Sequence, residues 1–300
     1  MTLTTGTIQS NGIELFYEAR GPEAGEPVVF VMGLSAQMVF WPEPLLDALA
    51  ERGYRVIRFD NRDVGLSTKL RAPATHAPGA AVARYFFGLP VRAAYTLHDM
   101  VADTVGLLDG LGIDRAHMVG ASMGGMISQL MSARRPERVR SLTSIMSSAN
   151  TRWPVAPPKP AALKTLVGPN VKIENADQFV MFGKKMMRTL GGSLQTSEAL
   201  AEQMFRQSWE RGLHPRGVRQ QFMAVLATGA FRNELKKIRV PATVIHGSDD
   251  PLIRPASGRE SARAIPGARF ELIRGMGHDL PDAALPRIAD LIEQTARRAS

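Results

Sequence analysis

A serine, a histidine and two aspartates of this chain occupy positions from which they could carry out nucleophilic catalysis. The segment Gly120-Ala121-Ser122-Met123-Gly124 is a G-x-S-x-G motif, with an apolar run before it and a helical pattern after it. In a strand–turn–helix elbow, this motif exposes the serine hydroxyl at the sheet edge, where it can attack an acyl carbon. Glycine is required on both sides because the two backbones come close together there. The motif therefore predicts Ser122 as a nucleophile.

A serine hydroxyl needs a neighbouring base to take its proton, and His278 is the candidate. It follows an apolar segment in the glycine-rich loop Arg274-Gly275-Met276-Gly277-His278-Asp279. Structural roles are expected for the other five histidines, which lie in proline-containing loops, at a helix start, or in and at the end of strands: His76, His98, His117, His214 and His246. The sequence therefore predicts His278 as the general base.

The base in turn needs a carboxylate that fixes its tautomer and stabilises the imidazolium. The segment His246-Gly247-Ser248-Asp249-Asp250-Pro251 offers two, just past another apolar run. Asp250 is favoured because a G-x-x-D-P turn places this acid in the loop, and Asp249 is then a solvated or turn-capping neighbour. The chain order Ser122, Asp250, His278, each beyond a predicted strand, predicts a catalytic triad.

Strand and helix signals alternate along the first half of the chain, which favours a parallel sheet covered by helices on both faces. Strands are predicted at about residues 7–9, 13–18, 28–32, 54–59, 117–121 and 142–147, and helices at about 42–52, 97–111 and 126–131. Ser10-Asn11-Gly12 is typical of a hairpin turn. The alternation resumes with strands at 242–246 and 269–273 and a final amphipathic helix carrying Leu285, Ile288 and Ile292.

A helical insertion interrupts this alternation. Residues 150–175 contain five prolines and no clear period, and helical patterns follow at about 176–188, 197–211 and 218–227. The simplest account is one α/β core formed by residues 1–149 and 230–300, with residues 150–229 inserted as a helical cap.

Taken together, these residues resemble the α/β-hydrolase superfamily. The resemblance covers roughly residues 10–150 and 230–298, and it implies a mostly parallel eight-stranded sheet flanked by helices, with a variable cap. The segment from Asp60 to Ser67 is similar to the family's D-x-R-x-x-G-x-S loop, and bracing of nearby loops is expected for Asp60 and Arg62. Met32-Gly33-Leu34 stands at the oxyanion turn, where methionine replaces the family's histidine. The implied oxyanion donors are the backbone amides of Leu34 and Met123.

Within the superfamily, the chain is similar to the aclacinomycin methylesterase branch, which implies hydrolysis of a carboxylic ester without any metal or organic cofactor. The combination that carries this likeness is Met32-Gly33, Arg62-Asp63, Ser122-Met123-Gly124 and Gly275-Met276-Gly277-His278. Carbon–carbon bond hydrolases and acyltransferases share such a triad and stay open, as does perhydrolysis as a side activity. A triad-bearing small-molecule receptor is the alternative that is not an enzyme.

The predicted cap is rich in methionine and aromatic residues, which favours a medium-sized apolar ester or lactone as the small-molecule partner. These side chains are Phe179, Met181, Phe182, Met186, Met187, Met204, Phe205, Trp209, Phe222 and Met223. The 72–95 loop adds a second cluster, Tyr85-Phe86-Phe87. The alternative is that most of these side chains hold the cap helices to the core.

Composition narrows the class of protein further. The 300 residues are 44% hydrophobic and 22% charged, as in a globular chain, and the absence of cysteine excludes disulfides and zinc–thiolate sites. The net charge of +9 is dispersed in pairs such as Glu51-Arg52, so no nucleic-acid partner is expected. The N-terminus lacks a signal-peptide pattern and no stretch approaches a membrane span, which predicts a cytoplasmic protein without a membrane partner. Monomer and homodimer both stay open.

Overall fold

The structure is a computed structural model that describes residues 3–71, 76–153, 156–166 and 173–299. Parts of two segments discussed above lie outside the described residues. These are residues 72–75 of the 72–95 loop, and residues 154–155 and 167–172 of the proline-containing stretch.

One sheet forms the centre of the described chain. Its eight strands are β1 (Leu3–Ser10), β2 (Ile13–Arg20), β3 (Pro27–Val31), β4 (Arg55–Phe59), β5 (Ala116–Ala121), β6 (Val139–Ile145), β7 (Ala242–Gly247) and β8 (Arg269–Ile273). They are arranged in the spatial order β1-β2-β4-β3-β5-β6-β7-β8. Only β1 with β2 and β2 with β4 pair antiparallel among these strands, and the other neighbours are parallel. This confirms the predicted mostly parallel sheet.

Helices cover both faces of the sheet. In chain order, the described α-helices are α1 (Glu43–Glu51), α2 (Pro78–Phe86), α3 (Leu97–Gly110), α4 (Met123–Arg134), α5 (Pro160–Leu166), α6 (Ala176–Leu190), α7 (Glu198–Glu210), α8 (Pro215–Thr228), α9 (Arg232–Leu235), α10 (Pro255–Ala264) and α11 (Leu285–Arg297). Successive residues of β3 point to opposite faces, as a strand requires. Val29 and Val31 pack in one core cluster with α3 and α4, whereas Val28 and Phe30 pack in another with α1 and α11.

The β1–β2 hairpin shows how a local signal positions an edge of the sheet. Ser10 pairs with Ile13 across the turn. The two residues between them, Asn11 and Gly12, have φ values of 48° and 77°. A two-residue turn of this kind needs positive φ at both positions, which Asn-Gly accommodates best.

The structure corrects the predicted loop at 72–95, because helix α2 forms within it. Ala81 and Tyr85, one helical turn apart, are buried against Met223 and Leu226 of α8. The apolar stripe is only two residues long, too short to indicate a helix in the sequence. Helix α10 was not predicted either, since its buried face consists largely of small residues, Ser257, Gly258 and Ser261. Strand β6 begins at Val139, earlier than predicted.

Candidate active site

Ser122 lies in the sharp turn between β5 and α4. Its φ of 54° and ψ of −118° are strained for a residue with a Cβ atom. A side chain at Gly124 would overlap the carbonyl oxygen of Val31, and one at Gly120 would overlap Gly124. The Ser122 amide donates to Ile145 O at 2.9 Å, and Ser147 Oγ donates to Ser122 O at 2.7 Å. The two glycines therefore leave room for the turn, and the hydrogen bonds with Ile145 and Ser147 hold Ser122 in its strained conformation.

His278 reaches the serine from the loop after β8. Its Nε2 lies 3.1 Å from Ser122 Oγ, and its side chain is 9% exposed. The His278 amide donates to Leu190 O at the end of α6, at 2.7 Å. A side chain at Gly277 would overlap the backbone just after α6, so the loop needs glycine for this close approach.

Asp250 lies beside the other ring nitrogen of His278 and is fully buried. Its Oδ2 is 2.8 Å from His278 Nδ1, and its Oδ1 accepts hydrogen bonds from the amides of Leu252 and Ile253 at 2.8 and 2.9 Å. Because an ionised carboxylate only accepts, Nδ1 carries the proton, and Nε2 is left free to accept one from Ser122. The orientation is the one that a general base requires.

Two histidines keep Asp250 ionised. Burial raises the pKa of Asp250, but the charge that His278 carries when it is protonated and hydrogen bonds from His246 and His278 outweigh it and lower the pKa to about 2. His246 is itself fully buried, with Nε2 3.3 Å from Asp250 Oδ2. The same nitrogen lies 2.6 Å from the carbonyl oxygen of Ile253, so it carries a proton and donates. His246 is therefore buried as expected, and its contact with Asp250 is one that the sequence did not predict.

Asp249 points away from His278 and binds the segment between α6 and α7. Its Oδ2 accepts from the amide and the hydroxyl of Ser193, at 3.0 and 2.9 Å. Further along the same segment, Thr196 Oγ1 donates to Asp279 Oδ2 at 2.7 Å. The carboxylates next to Asp250 and His278 thus bind the 191–197 segment to the site. The sequence contained no sign of these contacts, because the partners are far apart along the chain.

The turn after β3, residues 32–35, passes directly beside the serine, and we name it the β3 turn. A Cβ atom at Gly33 would lie 3.1 Å from Ser122 Cβ. Met123 is the first residue of α4, where backbone amides have no acceptor within the helix. Asn61 Nδ2 donates to Met32 O at 2.9 Å. Met32 makes this contact through its backbone oxygen, so the contact does not require the histidine that the family has at this position.

The D-x-R-x-x-G-x-S segment, residues 60–67, follows β4, and we name it the β4 loop. Its polar side chains form buried contacts. Asp60 accepts from the amides of Met38 and Leu66, each at 2.8 Å, and forms an ion pair with Arg211 at the end of α7. Arg62 donates to both carboxylate oxygens of Asp103, at 2.6 and 2.5 Å. These contacts brace loops rather than reach the serine.

The methionine and aromatic side chains of the predicted cap and of the 72–95 loop fall into two groups. Phe179 of α6 contacts Phe205 of α7 edge-on and Trp209 of α7 at a tilt, and Phe205 also contacts Phe40 of the core. Tyr85 and Met223 pack together in the α2–α8 cluster. In contrast, Met181 is 72% exposed and Phe87 is 81% exposed. The packed members favour the alternative in which these side chains hold the inserted helices to the core.

A cleft of about 360 Å³ lies beside the site, between α5, the end of α6 and the loop after β7. It is lined by side chains that include Lys159, Thr189, Asp249 and Arg254, and not by Ser122 or His278. Within the described ranges, no group of three histidine or acidic side chains could hold a metal ion. No helix in this part of the chain has the length and apolar character needed to cross a membrane.

The fold and the site define the class of protein. Residues 26–282 match the model of the alpha/beta hydrolase fold, so the chain belongs to this family and is a hydrolase of the α/β type. A full-length relative is rhodomycin D methylesterase of Streptomyces peucetius, at 28% identity, with 99% of this chain and 100% of the relative covered.

Solved structures show the same fold along the whole chain. The enol-lactonase from Burkholderia xenovorans LB400 has a TM-score of 0.69 at 24% identity, covering 98% of this chain and 99% of its own. A 2-hydroxy-6-oxo-6-phenylhexa-2,4-dienoate hydrolase from Rhodococcus sp. strain RHA1 has a TM-score of 0.73 at 18% identity, with 99% of each chain covered. At these identities, the likeness extends to the fold alone.

Proposed function

We propose that this protein hydrolyses a carboxylic ester through an acyl-enzyme formed on Ser122. The observation that carries the proposal is the continuous line of contacts from Ser122 Oγ to His278 Nε2, at 3.1 Å, and from His278 Nδ1 to Asp250 Oδ2, at 2.8 Å. A nucleophile, a base and a carboxylate in this arrangement are the groups that acyl transfer requires. The full-length likeness to a methylesterase supports an ester as the substrate.

In the first step, His278 Nε2 takes the hydroxyl proton while Ser122 Oγ attacks the ester carbonyl carbon. The negative charge that develops on the carbonyl oxygen is stabilised by the backbone amides of Leu34 and Met123. The tetrahedral intermediate then collapses, and the imidazolium of His278 returns the proton to the departing alcohol. The alcohol leaves, and the acyl group stays bound to Ser122.

In the second step, water replaces the alcohol. His278 Nε2 accepts a proton from the water, whose oxygen attacks the acyl carbon, and the same two amides stabilise the second tetrahedral intermediate. Collapse breaks the bond to Ser122 Oγ, which recovers its proton from His278, and the carboxylic acid is released. Asp250 holds the Nδ1–H tautomer throughout and stays ionised.

The class of substrate we propose is a medium-sized apolar ester or lactone. The methionine and aromatic side chains of this region that are not packed against the core, such as Met181, support this class over a sugar or nucleotide. Carbon–carbon bond hydrolysis and acyl transfer to an acceptor other than water use the same three groups and are the competing activities. Binding of a small molecule without turnover is the competing function outside catalysis.

The test combines active-site labelling with a substrate panel. A fluorophosphonate probe is expected to label the wild-type protein at Ser122 and not to label S122A. The S122A variant should lose at least about 10³-fold in kcat on p-nitrophenyl esters. S132A, which removes a buried hydroxyl further along α4, is the matched control and should keep its activity.

Each competing function has its own outcome in this experiment. Equal turnover by S122A and wild type in pure samples would contradict the acyl-enzyme on Ser122. Far faster turnover of a 2-hydroxy-6-oxo-dienoate than of any ester or lactone would favour the carbon–carbon bond hydrolase. Binding of esters without labelling or turnover would favour the receptor.

A further inference from the structure

We propose that Gln221, on helix α8, is a positioning residue that holds the β3 turn in the conformation needed to bind the oxyanion. This role rests on the proposed function, in which the turn supplies the Leu34 amide. Gln221 lies in the insertion between β6 and β7, yet its side-chain amide bonds on both sides to core loops next to the nucleophile.

Both ends of the Gln221 side-chain amide are occupied. Its Oε1 accepts from the amide of Ser35 at 2.9 Å, and its Nε2 donates to Arg62 O at 2.8 Å. The side chain is fully buried. A buried amide without hydrogen-bond partners lowers the stability of the folded state. The two bonds are therefore kept, and they fix the positions of the two loops relative to α8. Gln221 therefore links the β3 turn directly to the β4 loop.

Three contacts hold the β3 turn and the residues after it, two from the β4 loop and one from Gln221. Asn61 Nδ2 donates to Met32 O at the start of the turn, and Asp60 Oδ1 accepts from the amide of Met38 beyond it. Gln221 provides the third contact, at Ser35, the residue that follows Leu34. Asn61 and Asp60 belong to the core, so the contact at Ser35 is the one that depends on α8.

The backbone at Ser35 explains why that contact is needed. Its φ of 65° lies in the left-handed region, which residues with a side chain adopt only when the surroundings hold them there. Ser35 itself is exposed, and the turn's own backbone bond, from Ala36 N–H to Gly33 O, is long at 3.4 Å, so neither packing nor this bond alone supplies the constraint. Because the orientation of the Leu34 N–H is set by the peptides on either side, release of Ser35 would misdirect this donor.

Helix α8 is held firmly enough to position the turn. A side chain at Gly217, one helical turn before Gln221, would overlap Asp63 O, so the helix and the β4 loop are in close contact. At the other end of α8, the Asn150 side chain donates to Val225 O at 2.8 Å. The helix that carries Gln221 is therefore fixed on both sides of this residue, so its hydrogen bond to Ser35 can hold the β3 turn in place.

The variant pair Q221M and Q220M separates this role from general attachment of α8. Methionine keeps the volume of the glutamine side chain but removes both of its hydrogen bonds. Gln220, the neighbouring residue, also bonds to the core, through Nε2 to Leu70 O at 2.9 Å, but at a distance from the β3 turn. Q220M thus removes one hydrogen bond between α8 and the core and leaves Ser35 bonded.

Q221M is expected to lower kcat for a p-nitrophenyl ester about tenfold, with little change in KM, because the lost interaction matters in the transition state. Its affinity for an alkylboronic acid, which forms a tetrahedral adduct with the serine, should fall by a similar factor. Q220M should retain both values. Equal kcat and boronate affinity in Q221M, Q220M and the wild type would overturn the role of Gln221.

Hydrogen–deuterium exchange of the wild-type protein provides a measurement that does not depend on the variants folding. The Ser35 amide is in an exposed residue, so slow exchange requires its bond to Gln221. We expect protection of this amide in wild type and Q220M, and its loss in Q221M. Fast exchange of Ser35 in the wild type would contradict the inference.

The same experiments distinguish failure of this inference from failure of the proposed function. If wild-type protein shows Ser122-dependent turnover but Q221M matches Q220M, only the role of Gln221 is wrong. If wild-type protein has no Ser122-dependent turnover, the proposed function is wrong, and the catalytic role of Gln221 is wrong with it.

Discussion

Asp250 and His278 are joined by a 2.8 Å contact between Oδ2 and Nδ1, whereas the adjacent carboxylate of Asp249 bonds to Ser193 on the opposite side of the loop. Two neighbouring aspartates therefore have separate partners: one orients the histidine, and the other binds the segment between α6 and α7. Because the two carboxylates differ in their contacts and hardly in their chemistry, substitution of each in turn tests the assignment directly.

We expect D250N to lower kcat for an activated ester by about 10³- to 10⁴-fold, because an amide no longer fixes the Nδ1–H tautomer of His278. D249N is the matched control and should lower kcat by less than about tenfold, since Asp249 bonds to Ser193 and Ser248 and not to His278. Steady-state kinetics of the two variants beside the wild type checks this. A larger loss in D249N than in D250N would contradict the assignment.

The depressed pKa of Asp250 predicts a defined dependence of stability on pH. The value falls from 3.8 to about 2 on folding, so the ionised carboxylate stabilises the folded state at pH values above 3.8. This stabilisation, about 2 kcal/mol, is lost as the pH falls through the window from about 4 to 2. Urea unfolding of wild type and D250N at pH 5 and pH 2 measures it. The difference in the free energy of unfolding between the two proteins should shrink by that amount, and an unchanged difference would contradict the prediction.

The ion pair between Asp60 and Arg211, the residue just after α7, is expected to stabilise the folded protein. The side chain of Asp60 is fully buried, whereas that of Arg211 is 15% exposed. R211M leaves that carboxylate buried and unpaired, which should lower the free energy of unfolding by about 3 kcal/mol at pH 7.

Arg206, one helical turn earlier and paired with exposed acids at the surface, supplies the control for R211M. R206M should change stability little, because solvent screens such pairs. Combining R211M with D60N should cost less than R211M alone, since the orphaned charge is gone. Equal losses in the free energy of unfolding of R211M and R206M would show that the burial of Asp60 does not determine how much its ion pair contributes to stability.

The close contact between β3 and the start of α4 makes Gly124 intolerant of a side chain. G124A would push a Cβ atom into Val31 O, so we expect a loss of about 3 kcal/mol in the free energy of unfolding and loss of activity. At Gly79 in α2, an added Cβ meets no described atom within 4 Å. G79A should therefore be neutral or slightly stabilising by thermal denaturation. A G124A protein as stable and active as G79A would contradict the packing argument.

Local signals explain how much of the fold was predictable. Strand β3 is a continuous apolar run, the Asn-Gly turn marks the β1–β2 hairpin, and the elbow glycines mark the end of β5, so these elements could be recognised from their own residues. Helices α2 and α10 lacked such signals: the first has a two-residue stripe, and the second buries serine and glycine in place of large apolar residues.

The sequence by itself determined that a serine, an aspartate and a histidine follow three strands of one sheet, because short-range patterns encode strands and turns. Only the tertiary structure decided which partner each neighbouring polar group has. It gave Asp249 its partner Ser193, and it brought Gln221 to Ser35, 186 residues away in the chain. Hydrogen bonds between such distant residues leave no periodicity or spacing in the sequence, because they depend on how whole helices pack against loops.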